Sequence, residues 1–146
     1  MAHAACPPAL PPVDILLIED NPADVRLFRE ALKAGNISGQ LSILENASAV
    51  VAFVQHEHIS PQLIVLDGEV PGMSVEELLE SLRTLPGFAN IPVLLFSSLD
   101  EREGQWRSAL YGAMGFVHKP GDLQSYFDAI LTMVRSGVEQ RASLTS

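Results

Sequence analysis

At 146 residues with 47% apolar side chains, the chain can build one domain with an ordinary core and has no room for a second. Its formal charge of −9 argues against sequence-independent binding to nucleic acid or to an anionic membrane, since both need clustered Lys and Arg. The single cysteine, Cys6, excludes an internal disulfide, and no apolar run approaches the roughly 18 residues of a spanning helix, so a cytoplasmic protein with an idle Cys6 is expected.

Residues 1–12, MAHAACPPALPP, hold four prolines and lack the basic start and long apolar stretch of a signal peptide, which predicts a mobile or extended leader. From Val13 short apolar runs alternate with amphipathic ones. VDILLIE (13–19), LSILE (41–45), QLIVLD (62–67), PVLLFSS (92–98) and GFVHK (115–119) are the predicted strands. The first predicted helix, 22–35, sets Val25, Phe28 and Leu32 on one face, with Pro22 suited to its first turn and Gly35 to its stop. The second covers 47–58. The third, 74–87, opens with Ser74 and Glu77 at capping-box spacing. A fourth, 100–114, seats Trp106 toward the core, and the last covers 122–134. Nearly continuous apolar strands in strict alternation with helices signal a parallel sheet covered on both faces, a doubly wound (βα)5 α/β domain over 13–136 followed by a polar tail, 137–146.

In such a sheet ligands bind beyond the carboxyl ends of the strands, at the switch in strand order. Strand one ends in Glu19 and Asp20, strand three in Asp67, strand four in Ser97 and Ser98, and strand five in Lys119. Three carboxylates gathered in one crevice repel each other unless a cation sits among them. A hard divalent ion suits these oxygens, Mg²⁺ better than zinc, for which there is no Cys/His set. Each residue taken alone has a plainer reading. Asp67 could terminate a strand, Asp20 could cap a helix, Lys119 could be solvated, Ser97 and Ser98 could cap the fourth helix, and Phe116 could be core. His56 and His58 stand two apart and so on different helix faces, which argues for exposed polar residues rather than a metal site. His118 should face outward.

The ordered set IED, LIVLDGEVPGM, FSS and HKP resembles the receiver domain of two-component response regulators over about Val13 to Arg135. IEDNPADVRLFREAL is most similar to stand-alone receivers that serve phytochrome-type histidine kinases, here a bacteriophytochrome. The resemblance implies a flavodoxin-like sandwich with strand order 2-1-3-4-5, an order shared with a chemotaxis receiver. It also implies that Asp67 is the phosphoacceptor, attacking a phosphohistidine of the partner kinase to form an acyl phosphate. Asp20 would then hold Mg²⁺ directly and Glu19 through water, with Asp67 and the backbone carbonyl of Glu69 completing the ligands. Lys119 would pair with Asp67 at rest and with a phosphoryl oxygen afterwards. Ser97 and Ser98 would meet other phosphoryl oxygens, and Ser97 with Phe116 would form the switch. Such a protein catalyses its own phosphorylation and dephosphorylation rather than turning over a substrate. The family often has Gly where Val75 stands, and the acidic Glu69 leaves the lifetime of the acyl phosphate open.

Two other readings differ in class. A Mg-dependent aspartyl phosphatase of the haloacid-dehalogenase type carries its D-x-D pair after the first strand, whereas Asp67-Gly-Glu69 follows the third. A receiver fold used only for docking would be expected to lose acidic residues or the lysine, and all are present. With no DNA-binding module after the sheet, output is expected through protein contacts on the face formed by the last two helices and strand five. On the last helix Leu123, Phe127, Ile130 and Val134 should cover the sheet. Tyr126, Ala129 and Met133 form a second stripe, which predicts a two-fold homodimer through that helix.

Overall fold

The computed structural model describes residues 11–56, 61–67, 71–85, 87–98, 102–103, 106 and 115–145, with backbone only for Asp67 and 140–145. Most of the leader, Glu69, the Asp67 side chain and most of the predicted helix 100–114 lie outside the described residues. The strands are β1 (Ile15–Ile18), β2 (Leu41–Leu44), β3 (Leu63–Asp67), β4 (Val93–Ser97) and β5 (Gly115–His118). They form one parallel sheet in the order β2-β1-β3-β4-β5. Among the described residues the helices are α1 (Pro22–Ala34), α2 (Ala47–His56), α3 (Val75–Leu82) and α4 (Leu123–Thr145), with a 3-10 turn at Phe88–Asn90.

The period of two in a strand sends alternate side chains to opposite faces. Leu16, Ile18, Ile64, Leu66, Val93 and Leu95 pack under α2 and α3 with Val50, Leu78, Leu79 and Leu82. Ile15, Leu17, Leu63, Val65, Leu94 and Phe96 pack under α1 and α4 with Phe28, Ala31, Tyr126, Ile130, Met133 and Val134. Because both faces are covered, the central strands need apolar residues at every position, as their sequence shows. The capping box of α3 forms as its spacing predicts, Glu77 N–H donating to Ser74 Oγ at 3.1 Å and Ser74 N–H to Glu77 Oε1 at 3.0 Å. These bonds hold the Glu77 carboxyl below its ordinary range. Gly35 does end α1, but not for its backbone freedom. Its φ is −89°, the positive φ belongs to Asn36, and a Cβ on Gly35 would collide with Leu131 of α4.

The last helix departs from expectation in two ways. It runs to Thr145, absorbing the expected polar tail. Residues 135–145 are mostly helix formers, and Gly137, which would weaken an exposed helix, is buried where a Cβ would stand 2.7 Å from Leu63 Cδ1. Its inward face is also wider than the expected stripe: Leu123 is 58% exposed, but Tyr126 and Met133, at 7% and 1% exposed within the single chain, are buried beside Ile130 and Val134. Wedged between α1 and the β4 side of the sheet, α4 buries Ile130 and Val134 of the first stripe together with Tyr126 and Met133 of the second, and the Tyr126 ring packs edge-on against Phe96 with centroids 5.4 Å apart. The dimer surface read from Tyr126, Ala129 and Met133 is therefore corrected: two of the three have no surface to offer a second copy, and Ala129 is half-buried. Trp106, expected in the core, is 61% exposed.

Candidate functional site

Because β1 is flanked by β2 and β3, its carboxyl end opens at the crevice where the chain's winding direction reverses. Glu19, the next residue, is 3% exposed and its backbone N–H still donates to Leu44 O at 3.0 Å. A carboxylate so buried needs partners. Its Oε2 accepts the Asn21 N–H at 3.0 Å, and its Oε1 lies 3.4 Å from Lys119 Nζ. Asn21 rather than Asp20 caps α1, its Oδ1 accepting from Ala23 N–H at 2.9 Å. That leaves Asp20 exposed, and among the described residues no hydrogen bond or ion pair engages its carboxylate.

Lys119 follows β5 and is tied to the end of β4 by its N–H, which donates to Ser97 O at 2.7 Å. Its side chain is only 13% exposed. The ammonium stands 5.4 Å from the centroid of the Phe96 ring, close enough for a cation–π contact. A second carboxylate meets it: Asp24 Oδ2, on the first turn of α1, at 3.1 Å. Phe96 is also the register partner of Asp67 across the β3–β4 pair. The ends of β1, β4 and β5 are thus drawn together beside the backbone of Asp67.

The predicted residues divide as follows. Glu19 and Lys119 meet directly, and Ser97, 7% exposed, adjoins them through its backbone. Ser98 is exposed, as is His118. Phe116 is half-buried against the α2/α3 face of the core. The pairing of Lys119 with Asp67 and the Glu69 carbonyl involve groups outside the described residues. Sequence reasoning missed Asp24. An acid in the first turn of a helix has an ordinary explanation in the helix dipole, and nothing in its spacing ties it to a lysine 95 positions later.

The oxygen donors fit a hard divalent cation. Asp20 is exposed and without a described partner, as a direct ligand requires, while both Glu19 oxygens are already engaged, which suits contact through water. Among the described residues no three His, Cys, Asp or Glu side chains gather to hold a metal.

Comparison with known proteins bears on this arrangement. Residues 15–131 match the family model of the response regulator receiver domain. The chain belongs to the receiver family of response regulators. Among curated proteins, the receiver is 37% identical over 93 residues to response regulator Rcp1 of Synechocystis sp., a match covering 60% of this chain. It spans 63% of the length of Rcp1, less than two thirds. Among solved structures, the Mn²⁺-bound form of Rcp1 superimposes with a TM-score of 0.72 at 28% identity, covering 88% of this receiver and 96% of that chain. The phosphorylated cyanobacterial phytochrome response regulator RcpA shares the fold, with a TM-score of 0.70 at 24% identity over 82% of this chain and 89% of its own. Receiver domains are Mg²⁺-dependent and pair with histidine kinases. Among the described residues no helix is long and apolar enough to cross a membrane.

Proposed function

We propose that this receiver accepts a phosphoryl group from a histidine kinase onto Asp67 and signals through protein contacts. One observation carries the reading: the partly buried Lys119 ammonium, 3.4 Å from Glu19, lies over the ring of Phe96, the residue in register with Asp67. A charged pair held there has little structural purpose as a pair, because two apolar side chains would fill the same space without desolvating any charge. The ammonium is well placed to meet an anion that arrives at the end of β3.

In the proposed reaction an Asp67 carboxylate oxygen attacks the phosphorus of a phosphohistidine. The P–N bond breaks as the O–P bond forms, and the imidazole leaves with the electron pair and takes up a proton from solvent. Lys119 binds one phosphoryl oxygen, and Ser97 and Ser98 orient others. Asp20 would hold Mg²⁺ directly, Glu19 through water, and Asp67 with the Glu69 carbonyl would complete its ligands. Neutralising the phosphoryl oxygens is the chemistry that Mg²⁺ supplies when bound. Ser97 and Phe116 then shift the output face between two pre-existing arrangements. The likeness to Rcp1 and RcpA, the latter a phytochrome response regulator, supports a phytochrome-type kinase as the donor. A cytoplasmic location follows from such a partnership.

Incubation with acetyl phosphate and Mg²⁺ tests the assignment. The wild type should gain one phosphoryl group, and Asp67→Asn, which keeps the shape and loses the nucleophile, should gain none while remaining folded. Excess chelator should stop wild-type labelling. Undiminished labelling of Asp67→Asn would falsify the phosphoacceptor assignment, and labelling that persists in chelator would remove the metal from it.

A further inference from the structure

We propose that Asp24 is a positioning residue that restrains Lys119 in the resting receiver, so that binding a phosphoryl group at Asp67 requires the lysine to be drawn away from it. The inference rests on the phosphoacceptor reading and adds to it a residue on α1.

Of the two ion pairs described at Lys119, the one to Asp24 is the shorter, 3.1 Å against 3.4 Å to Glu19. The Asp24 side chain is 26% exposed and that of Lys119 13%, so the pair is only partly screened by solvent. Asp24 stands in the first turn of α1, a helix fixed by its Asn21 cap and by Phe28 and Ala31 in the core, and its carboxylate is therefore anchored. Lys119 is tied at its backbone to Ser97 O and carries its ammonium on a long flexible stem, which can redirect the charge from one partner to another. The contact thus joins a fixed anion to a movable cation.

A helix-dipole role would account for an acid in this turn, but not for its closing on a lysine from the far end of the sheet. Each anion near an ammonium lowers its attraction for another. A dianionic phosphoryl group at Asp67 competes with Asp24 for the same charge, so Asp24 stabilises the unphosphorylated state relative to the phosphorylated one. Removing the charge without changing the shape should therefore tighten the site for a phosphoryl group. A residue that served only to stabilise the fold would loosen the site or leave it unchanged when replaced.

The test is the affinity of the full chain for beryllofluoride, a stable phosphoryl mimic, in saturating Mg²⁺, read from the bound fluorine resonance. Three proteins are compared: the wild type, Asp24→Asn, and Glu30→Gln, which removes an equal charge from the exposed side of α1. Circular dichroism checks that each is folded. Asp24→Asn should bind about three- to tenfold more tightly than wild type, and Glu30→Gln within about twofold of it. Equal or weaker binding by Asp24→Asn overturns the inference while leaving the phosphoacceptor reading intact. So does equal tightening by Glu30→Gln, because the effect would then be net charge and not a contact with Lys119. Folded wild-type protein that fails to bind the mimic at all refutes the phosphoacceptor reading, and this inference with it.

Discussion

Polar side chains cluster at both ends of the sheet, and they are used differently. At the amino edge Asp14 Oδ1 accepts from Gln40 N–H at 2.9 Å, Gln62 Oε1 accepts from Asp14 N–H at 2.8 Å, and Gln62 N–H donates to Asp14 O at 2.8 Å. Every one of these bonds satisfies a backbone group and stitches β1 to the entries of β2 and β3. At the carboxyl edge Glu19, Asp24 and Lys119 meet side chain to side chain, and all three are charged and less exposed than surface ion pairs usually are. The first arrangement is complete in itself. The second is held by charges that an incoming anion or cation can redistribute, and it lies where the fold leaves a crevice. Side chains bonded to backbone mark a structural edge, whereas side chains bonded to each other in a desolvated place mark a functional one.

The comparison is put under most strain by Lys119→Met, which removes the cation and keeps the stem. It leaves Glu19 buried with only the Asn21 N–H among its described partners, and should destabilise the fold by about 2 to 4 kcal/mol in urea unfolding at neutral pH. Phosphoryl acceptance from acetyl phosphate should fall sharply as well. At the other edge, Asp14→Ala should lower stability by about 1 kcal/mol through loss of the Gln40 contact and leave phosphoryl acceptance at the wild-type level. A change in labelling rate with Asp14→Ala would mean that the edges are not separable.

The smallest effect concerns acid. The folded-state pKa of Glu77 lies below its ordinary value of 4.5 because Ser74 donates to it, so its contribution is fully present above that pH and lost as pH falls through the depressed value. Glu77→Gln, which keeps a side-chain acceptor for the Ser74 N–H but cannot titrate, should flatten the acid limb of the stability curve below about pH 4.5 without altering the neutral-pH chemistry of the carboxyl edge. An unchanged limb in the variant would show that the capping box does not form in solution.

The sheet was legible because burial on both faces leaves a mark on each strand, as in ILLI and LIVLD, and because the apolar runs alternate in the sequence with amphipathic ones. Glu19 and Lys119 were legible for the same reason: a charged residue directly after an apolar strand can only stand at its carboxyl end. Asp24 was not, because its significance comes from a lysine brought near by the β1-β3-β4-β5 order and not from its own neighbours. Tyr126 and Met133 were misjudged as free because counting angles on an isolated helix gives the width of the apolar arc but not how much of it the neighbours cover. Here α1 comes close enough for Gly35 to touch Leu131, and the β4 side of the sheet takes the rest. The extension of α4 to Thr145 was hidden by polar residues with adequate helix propensity, around a glycine whose missing side chain makes room for Leu63.

The central claim is that the charges at the carboxyl edge serve Asp67. The most direct measurement treats the phosphorylated chain with borohydride, which reduces an aspartyl phosphate to homoserine, and locates the product by peptide mass spectrometry. The account predicts homoserine at position 67 and at no other aspartate. Homoserine elsewhere with Asp67 intact, or stable phosphate on a serine such as Ser97 in place of any acyl phosphate, would contradict it.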